Sequence, residues 1–182
     1  YSSIAQSGYM LMAFVPYGKE HVLADTIAAM LFFLASYGLT TIGAWAVVIA
    51  LEQAEEGGLE LTDYAGLGRR HPALAAAMTV AMLSFTGVPP TLGFAGKFYI
   101  FSTVLQGGYI GLALIGVLTS LVSAYYYLRV VVLMYMQEGE PQVRRDPWLY
   151  FTAYSAALGT VILSIFSTPL FRWASQALLK LF

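Results

Sequence analysis

Residues 73–106 read ALAAAMTVAMLSFTGVPPTLGFAGKFYIFSTVLQ, and three features of this stretch govern how the chain folds. It is apolar almost throughout, it is broken in the middle by Gly87-Val88-Pro89-Pro90, and it holds one charge, Lys97. Two consecutive prolines do not sit inside a regular helix, because each lacks an amide donor and crowds the preceding turn. Each half is about 15 residues, near 22 Å at ~1.5 Å per residue, short of the ~30 Å hydrocarbon core of a bilayer. One broken helix crossing once and a hairpin of two short helices both fit the length.

The flanking sequence is of the same kind. The chain is 59% hydrophobic and only 10% charged, against roughly 25% charged in a soluble domain. No acid or base occurs in residues 1–18, 26–51 or 147–171, and residues 72–128 contain Lys97 alone. A buried helix of a soluble protein keeps a polar stripe at helical spacing, and these blocks have none that is continuous. The fold class is therefore all-α, a multi-pass transmembrane helical bundle. Five segments are expected, at 1–16, 25–51 with Asp25 as N-cap, 73–106 with its break, 109–136 and 148–179. Pro72 suits the first turn of the third. They form one membrane domain over 1–182, which starts within a helix and is read as the C-terminal part of a longer chain.

Basic residues arbitrate between one crossing and two. With one crossing, Arg69, Arg70, Arg144 and Arg145 share a side, and Lys19, Arg172 and Lys180 occupy the other. With two, the arginine pairs separate. The preference of Lys and Arg for the cytoplasmic side favours one discontinuous helix, with the arginine loops cytoplasmic and the C-terminus opposite.

That arrangement puts Lys97 near mid-membrane. Snorkelling past the nine residues to Gln106 would need ~13 Å, and a lysine side chain reaches about 6 Å. A charge at such depth costs at least ~2.5 kcal/mol on insertion scales and usually faces a bundle interior or a wet cavity. Desolvation brings its neutral and charged forms within reach of one another, which suits a proton carrier. A structural lysine paired to a carbonyl or to a carboxylate is the alternative. The break at Gly87, Pro89, Pro90 and Gly93 frees backbone groups near the same depth, and Gly93 and Gly96 leave room for close approach.

Ser36, Tyr37, Thr40 and Thr41 form a polar cluster in the second segment. Hydrogen bonds back to helix carbonyls and a hydrated path are equally open to them. Gly116, Ser120 and Ala124 recur every four residues as a helix-packing stripe, and Arg129, after three tyrosines, reads as an interfacial anchor. Glu52, Glu55, Glu56, Glu60 and Asp63 form a solvated loop or docking surface. His21 and His71 have no second ligand at metal spacing. Cysteine is absent, and no phosphate loop, triad or cofactor box is present. No basic run suggests nucleic acid. These residues describe a conduit.

Several stretches are similar to a known family. Tyr1-Ser2-Ser3-Ile4-Ala5-Gln6-Ser7-Gly8-Tyr9 and Asp63-Tyr64-Ala65-Gly66-Leu67-Gly68-Arg69-Arg70 resemble segments of the antiporter-like subunits of respiratory complex I. Residues Gly87 to Tyr99, GVPPTLGFAGKFY, and Ser123-Ala124-Tyr125-Tyr126-Tyr127-Leu128-Arg129 resemble the subunit N branch, the counterpart of mitochondrial subunit 2. The resemblance implies an antiporter-like inverted-repeat fold of about fourteen helices, of which this chain covers roughly the last five. It also implies that Lys97 is the proton-channel lysine of the second broken helix. The implied function is proton translocation coupled to quinone reduction elsewhere in an NADH–quinone oxidoreductase. A cation/proton antiporter subunit and a non-pumping scaffold subunit are the alternatives. The implied partners are antiporter-like and small neighbouring membrane-arm subunits and the lipid bilayer. NADH, FMN, iron–sulfur clusters and quinone are expected in other subunits, with no cofactor or metal in this chain. The implied location is an energy-transducing membrane, a bacterial plasma membrane.

Overall fold

The computed structural model describes residues 2–19, 22–52 and 60–179. Tyr1, His21, Glu55, Glu56 and Lys180, named above, lie outside these residues. The described chain is helical and contains no strand. Its helices are α1 (Ser2–Phe14), α2 (Leu23–Leu51), the single turn α3 (Leu67–Arg70), α4 (Pro72–Thr86), α5 (Leu92–Gln106), α6 (Ile110–Met136), α7 (Pro147–Ile165) and α8 (Ser167–Leu179). Short 3-10 turns follow α1 at Val15–Gly18 and precede α3 at Leu61–Tyr64. Three helices, α2, α6 and α7, are each long and apolar enough to cross a membrane. The chain is a multi-pass membrane protein, and lipid-type apolar side chains such as Leu114, Leu118, Leu121 and Val122 cover the outer face of α6.

Two apolar clusters fill the bundle, one towards each end. In the first, Leu74, Met78 and Met82 of α4 pack with Ala44, Val47 and Leu51 from the second half of α2. Tyr127, Leu133 and Met134 from the second half of α6 complete it. In the second, Ile100 and Val104 of α5 pack with Ala29 and Phe33 from the first half of α2, Ala113 from the start of α6, and Tyr9 and Ala13 of α1. Since α2 and α6 each run the length of the bundle, α4 and α5 occupy its opposite halves. They are two pieces of one path, not the arms of a hairpin. The same geometry gathers the arginine loops at one end. Arg69 and Arg70 pair with Glu138 and Glu140 at 3.2 and 2.6 Å, and the Arg144 amide donates to the Ala50 carbonyl at 2.7 Å. At the other end, Lys19 donates to the Gly107 carbonyl.

The break itself follows from local chemistry. Gly87 adopts φ 87°, a left-handed conformation that costs glycine little. There it closes a Schellman motif: its amide donates to Ser84 and the Val88 amide to Leu83, at 3.1 and 3.0 Å. Thr91 then caps α5, accepting from the Phe94 amide at 3.4 Å and donating to the Val88 carbonyl at 2.6 Å. The start of α5 lies against the end of α4 because Gly93 has no side chain: a Cβ there would collide with the Ser84 carbonyl.

The structure differs from the sequence expectation in two places. The stretch 148–179, expected as one segment, is two helices divided at Phe166. Pro169 has no amide for the Ile165 carbonyl, so the helix cannot run through. The two pieces nevertheless keep one antiparallel course along α2. Gly43 faces Ala156 and Leu39 faces Gly159, Phe32 meets Phe171, and Ser175 donates to Asp25 at 2.7 Å. Asp25, expected as the N-cap, stands in the first turn of a helix capped at Val22. Its carboxylate there lies near the positive end of the helix dipole.

Candidate functional site

The Schellman motif settles the carbonyls of Leu83 and Ser84 and leaves those of Phe85 and Thr86. In a continuous helix these two would accept from the amides of residues 89 and 90, four positions on. Both positions are proline and have no N–H to give. Buried carbonyls need donors, and here side chains supply them. Lys97 Nζ donates to Phe85 O at 2.8 Å and to Thr86 O at 3.1 Å.

Lys97 is buried at 4% exposure. It sits on the second turn of α5, and helical side chains lean towards the helix N-terminus, so its ammonium reaches back over the break. Its third partner is Ser120 of α6, whose Oγ lies 2.9 Å from Nζ and donates to Thr86 O at 3.2 Å. The Tyr9 ring lies 4.7 Å from Nζ on a further side, a cation–π contact that favours the ammonium. No ion pair reaches Lys97 among the described residues. The cation is thus held by neutral oxygens and one aromatic face. A groove of about 470 Å³ runs between α5 and α6 over it, with Lys97, Ser120, Thr86 and Ser102 as polar points among Phe94, Phe98 and Phe101.

A second set of bonds enters from α1. Gln6, buried at 2% exposure, donates from Nε2 to the Phe85 carbonyl at 3.3 Å and to the Tyr127 hydroxyl at 3.1 Å. The Tyr127 oxygen lies 2.6 Å from Ser2 Oγ. The phenol oxygen thus accepts from Gln6 and shares a hydrogen bond with Ser2 in which either hydroxyl can donate. Tyr127 is also stacked on Phe85, with ring centroids 5.4 Å apart.

The polar cluster of α2 divides. Thr40 donates to the Ser36 carbonyl at 2.8 Å, and its oxygen lies 2.9 Å from Ser84 Oγ. Ser84 accepts from the Gly93 amide at 3.1 Å. Thr40 therefore braces the break from the side of α2. Tyr37 packs its ring on Phe85 at 5.9 Å. The hydroxyls of Ser36 and Thr41 are buried without a protein partner, as are those of Tyr9 and Thr26. The α2 bonds join the break at Ser84, whereas Lys97 is held at Phe85 and Thr86.

Sequence reasoning located Lys97, the break and Thr40, and missed Gln6, Tyr127 and the donor role of Ser120. A lone amide in an apolar helix was the available signal for Gln6. Its spacing puts Ser120 in a packing stripe with Gly116, and that stripe is mixed: Gly116 faces Met12 and Phe101, while Ser120 faces Lys97. Arg129 is exposed, and His71 stands at the N-cap of α4. Among the described residues no group of His, Asp, Glu or Cys side chains forms a metal site.

Residues 1–123 match the family described as NADH:quinone oxidoreductase/Mrp antiporter, TM. The NADH-quinone oxidoreductase subunit N of Trichlorobacter lovleyi is 44% identical over 183 residues, a match covering 97% of this chain and 36% of that protein. The chain thus spans little more than a third of that curated relative. Respiratory complex I from Thermus thermophilus with bound aureothin contains a chain 25% identical, with a TM-score of 0.72 over 94% of this chain and 44% of its own. A chain of the Mrp complex from Dietzia sp. DQ12-45-1b shares the fold at a TM-score of 0.84, 17% identical, covering 97% of this chain and 41% of its own.

Proposed function

The chain belongs to the NADH:quinone oxidoreductase/Mrp antiporter transmembrane family, and on that footing we propose that it forms part of a proton-translocating membrane-arm subunit of an NADH–quinone oxidoreductase. Quinone reduction elsewhere in the complex drives the movement, and Lys97 carries the proton. NADH, flavin, iron–sulfur clusters and quinone are held by other subunits. This stretch has no cysteine with which to ligate a cluster. Its partners are the neighbouring antiporter-like and small membrane-arm subunits and the surrounding lipid.

The observation that carries this reading is the holding of Lys97 by two proline-freed carbonyls and a hydroxyl, with no ion pair among the described residues. A buried ammonium held by neutral acceptors is sensitive to any charge that moves nearby, because no fixed anion pins its protonation state. When a charge rearrangement disfavours the ammonium, Nζ releases one proton and remains as the amine. It takes up one proton when the field reverses. The carbonyls stay where they are in both states, since the prolines keep the helix from closing over them. Of the polar set Ser36, Tyr37, Thr40 and Thr41, the unpartnered hydroxyls of Ser36 and Thr41 belong to the same reading as a hydrated flank of the break, with Thr40 and Tyr37 bracing it. The arginine end faces the cytoplasm of a bacterial plasma membrane, and the single domain crosses it with five segments, α4–α5 and α7–α8 each counting as one.

The test is Lys97→Ala in the full-length protein within its complex, with NADH-driven proton pumping measured in vesicles. Pumping is expected to drop while assembly and quinone reduction persist. Normal pumping in an assembled Lys97→Ala complex overturns the role of Lys97. Sodium- or potassium-dependent exchange without electron transfer overturns the assignment to a quinone-reducing complex.

A further inference from the structure

The Phe85 carbonyl has two donors, and one of them is not the lysine. Lys97 Nζ approaches it at 2.8 Å from α5, and Gln6 Nε2 approaches it at 3.3 Å from α1. Gln6 is held in place by a second bond, to Tyr127 at 3.1 Å, and Tyr127 is anchored in turn at 2.6 Å by Ser2. We propose that Gln6 is a positioning residue for Lys97, a standing second donor that keeps the Phe85 carbonyl paired whenever the lysine loosens its hold.

The reasoning is one of alternatives. Without Gln6, deprotonation or departure of Lys97 weakens or removes the sole donor to a carbonyl in a low-dielectric interior, which resists the change. With Gln6 already within reach, the carbonyl closes on the amide as the ammonium weakens, and the two lysine states lie nearer in energy. The carboxamide suits this role because it donates without titrating. Tyr127 suits its own because its oxygen accepts from Gln6 and is itself tied to Ser2, so the amide stays aimed at Phe85. The arrangement joins α1, α4 and α5 at one oxygen, and reaches α6 through the Gln6–Tyr127 bond. This inference rests on Lys97 being the proton carrier.

Among the described residues, the titratable groups facing the cluster are Tyr9 from α1, Tyr37 from α2, and Tyr127 with its neighbour Tyr126 from α6. None of these is a carboxylate or a second cation, and no ion pair reaches Lys97 among the described residues. A difference in the pH profile of pumping between wild type and a Gln6 variant, with the rest of the complex unchanged, therefore reports Lys97.

The experiment uses the full-length protein in its complex, reconstituted in vesicles and driven by NADH and quinone, across a pH series. Gln6→Leu removes the second donor. It is expected to move the alkaline limb of pumping upward by about one pH unit, the tenfold equivalent of one hydrogen bond. The direction follows from the protonated, carbonyl-bound lysine now being favoured. Gln6→Asn, which keeps a non-titrating amide donor on a shorter stem, is expected to return the limb part of the way. Tyr127→Phe leaves the amide in place but frees its aim, and is expected to shift the limb part of the way. An assembled Gln6→Leu complex with an unmoved limb overturns the proposal, whatever its rate. Should Gln6→Leu fail to assemble, an unmoved limb in Tyr127→Phe overturns it equally. Lys97→Ala run alongside separates the two readings. If that variant pumps normally, the role of Lys97 falls. If it is silent while Gln6→Leu keeps the wild-type profile, only the role of Gln6 falls.

Discussion

Lys97 donates to the Phe85 carbonyl at 2.8 Å in the place where Pro89 has no amide to offer. Fold and site are one event here. The prolines that end α4 create the acceptors, the Gly87 turn satisfies the carbonyls before them, and α5 returns a lysine to the two that remain. A polar chain buried in a membrane bundle must satisfy itself internally, and this one does so with a cation.

Restoring the missing amides should therefore evict the lysine. Pro89→Ala with Pro90→Ala returns two donors to the positions that pair with Phe85 and Thr86, and raises helix propensity across the break. Proton pumping by the assembled complex should fall by about tenfold or more, each backbone bond contributing ~1 kcal/mol against the lysine. Unaltered pumping in an assembled double variant would show that Lys97 does not depend on these carbonyls.

Ser120→Ala tests the third partner. The hydroxyl lies 2.9 Å from Lys97 Nζ and donates to Thr86 O, and both bonds are lost with little change of volume. A hydrogen bond to a charged group is worth ~1.5–3 kcal/mol, but two carbonyls and the Tyr9 face remain, so the lower figure applies. Pumping is expected to drop roughly tenfold, with Ser120→Thr largely retaining it. If Ser120→Ala and wild type pump alike, the serine only fills space.

The sequence carries Lys97 and the break openly, because a lone charge in apolar sequence and a proline pair are each costly on local grounds. The resemblance to the antiporter-like subunits drawn from Gly87 to Tyr99 agrees with relatives named subunit N. Gln6 and Tyr127 were not legible: they meet across 121 positions of chain, and Gln6 meets Phe85 across 79. Only the folded bundle brings such pairs together, and one chain has no periodicity that marks them. The division of the last segment at Phe166 was signalled by Pro169, whose effect the apolar run before it concealed. Asp25 looks like a cap by residue type, but its partner is Ser175, on the last helix.

Packing between α2 and α7 makes a size-exchange prediction. A Cβ added at Gly43 would lie 2.8 Å from the Ala156 Cβ, closer than methyl groups approach. Small residues at such contacts are what lets membrane helices come together. Gly43→Ala is expected to destabilise the subunit by about 1–3 kcal/mol, read as a lower inactivation temperature of the assembled complex. Adding Ala156→Gly removes the clashing methyl and should recover most of the loss. A double variant no better than Gly43→Ala would mean that the two helices do not meet at this contact.

The ends of the bundle give the last prediction. Arg69, Arg70 and Arg144 share an end with Glu138 and Glu140, while Lys19 reaches Gly107 at the other. The two ion pairs are exposed, with side chains 60–87% accessible, so they clamp the loops loosely. Exposed pairs contribute ~0–1 kcal/mol, and Arg70→Ala should leave stability within that range. The proposed orientation rests on them instead, because Lys and Arg near the ends of membrane helices favour the cytoplasmic side. This stretch has no cysteine, so a thiol introduced here can be followed by a membrane-impermeant reagent in a background cleared of other reactive cysteines. Arg145→Cys should label only when the cytoplasmic face is open to the reagent, and Lys19→Cys only from the opposite face. Labelling of both from one side would contradict the path of α4 and α5 through opposite halves of the bundle. Labelling of each from the face opposite to that expected would keep the path and invert the subunit in its membrane.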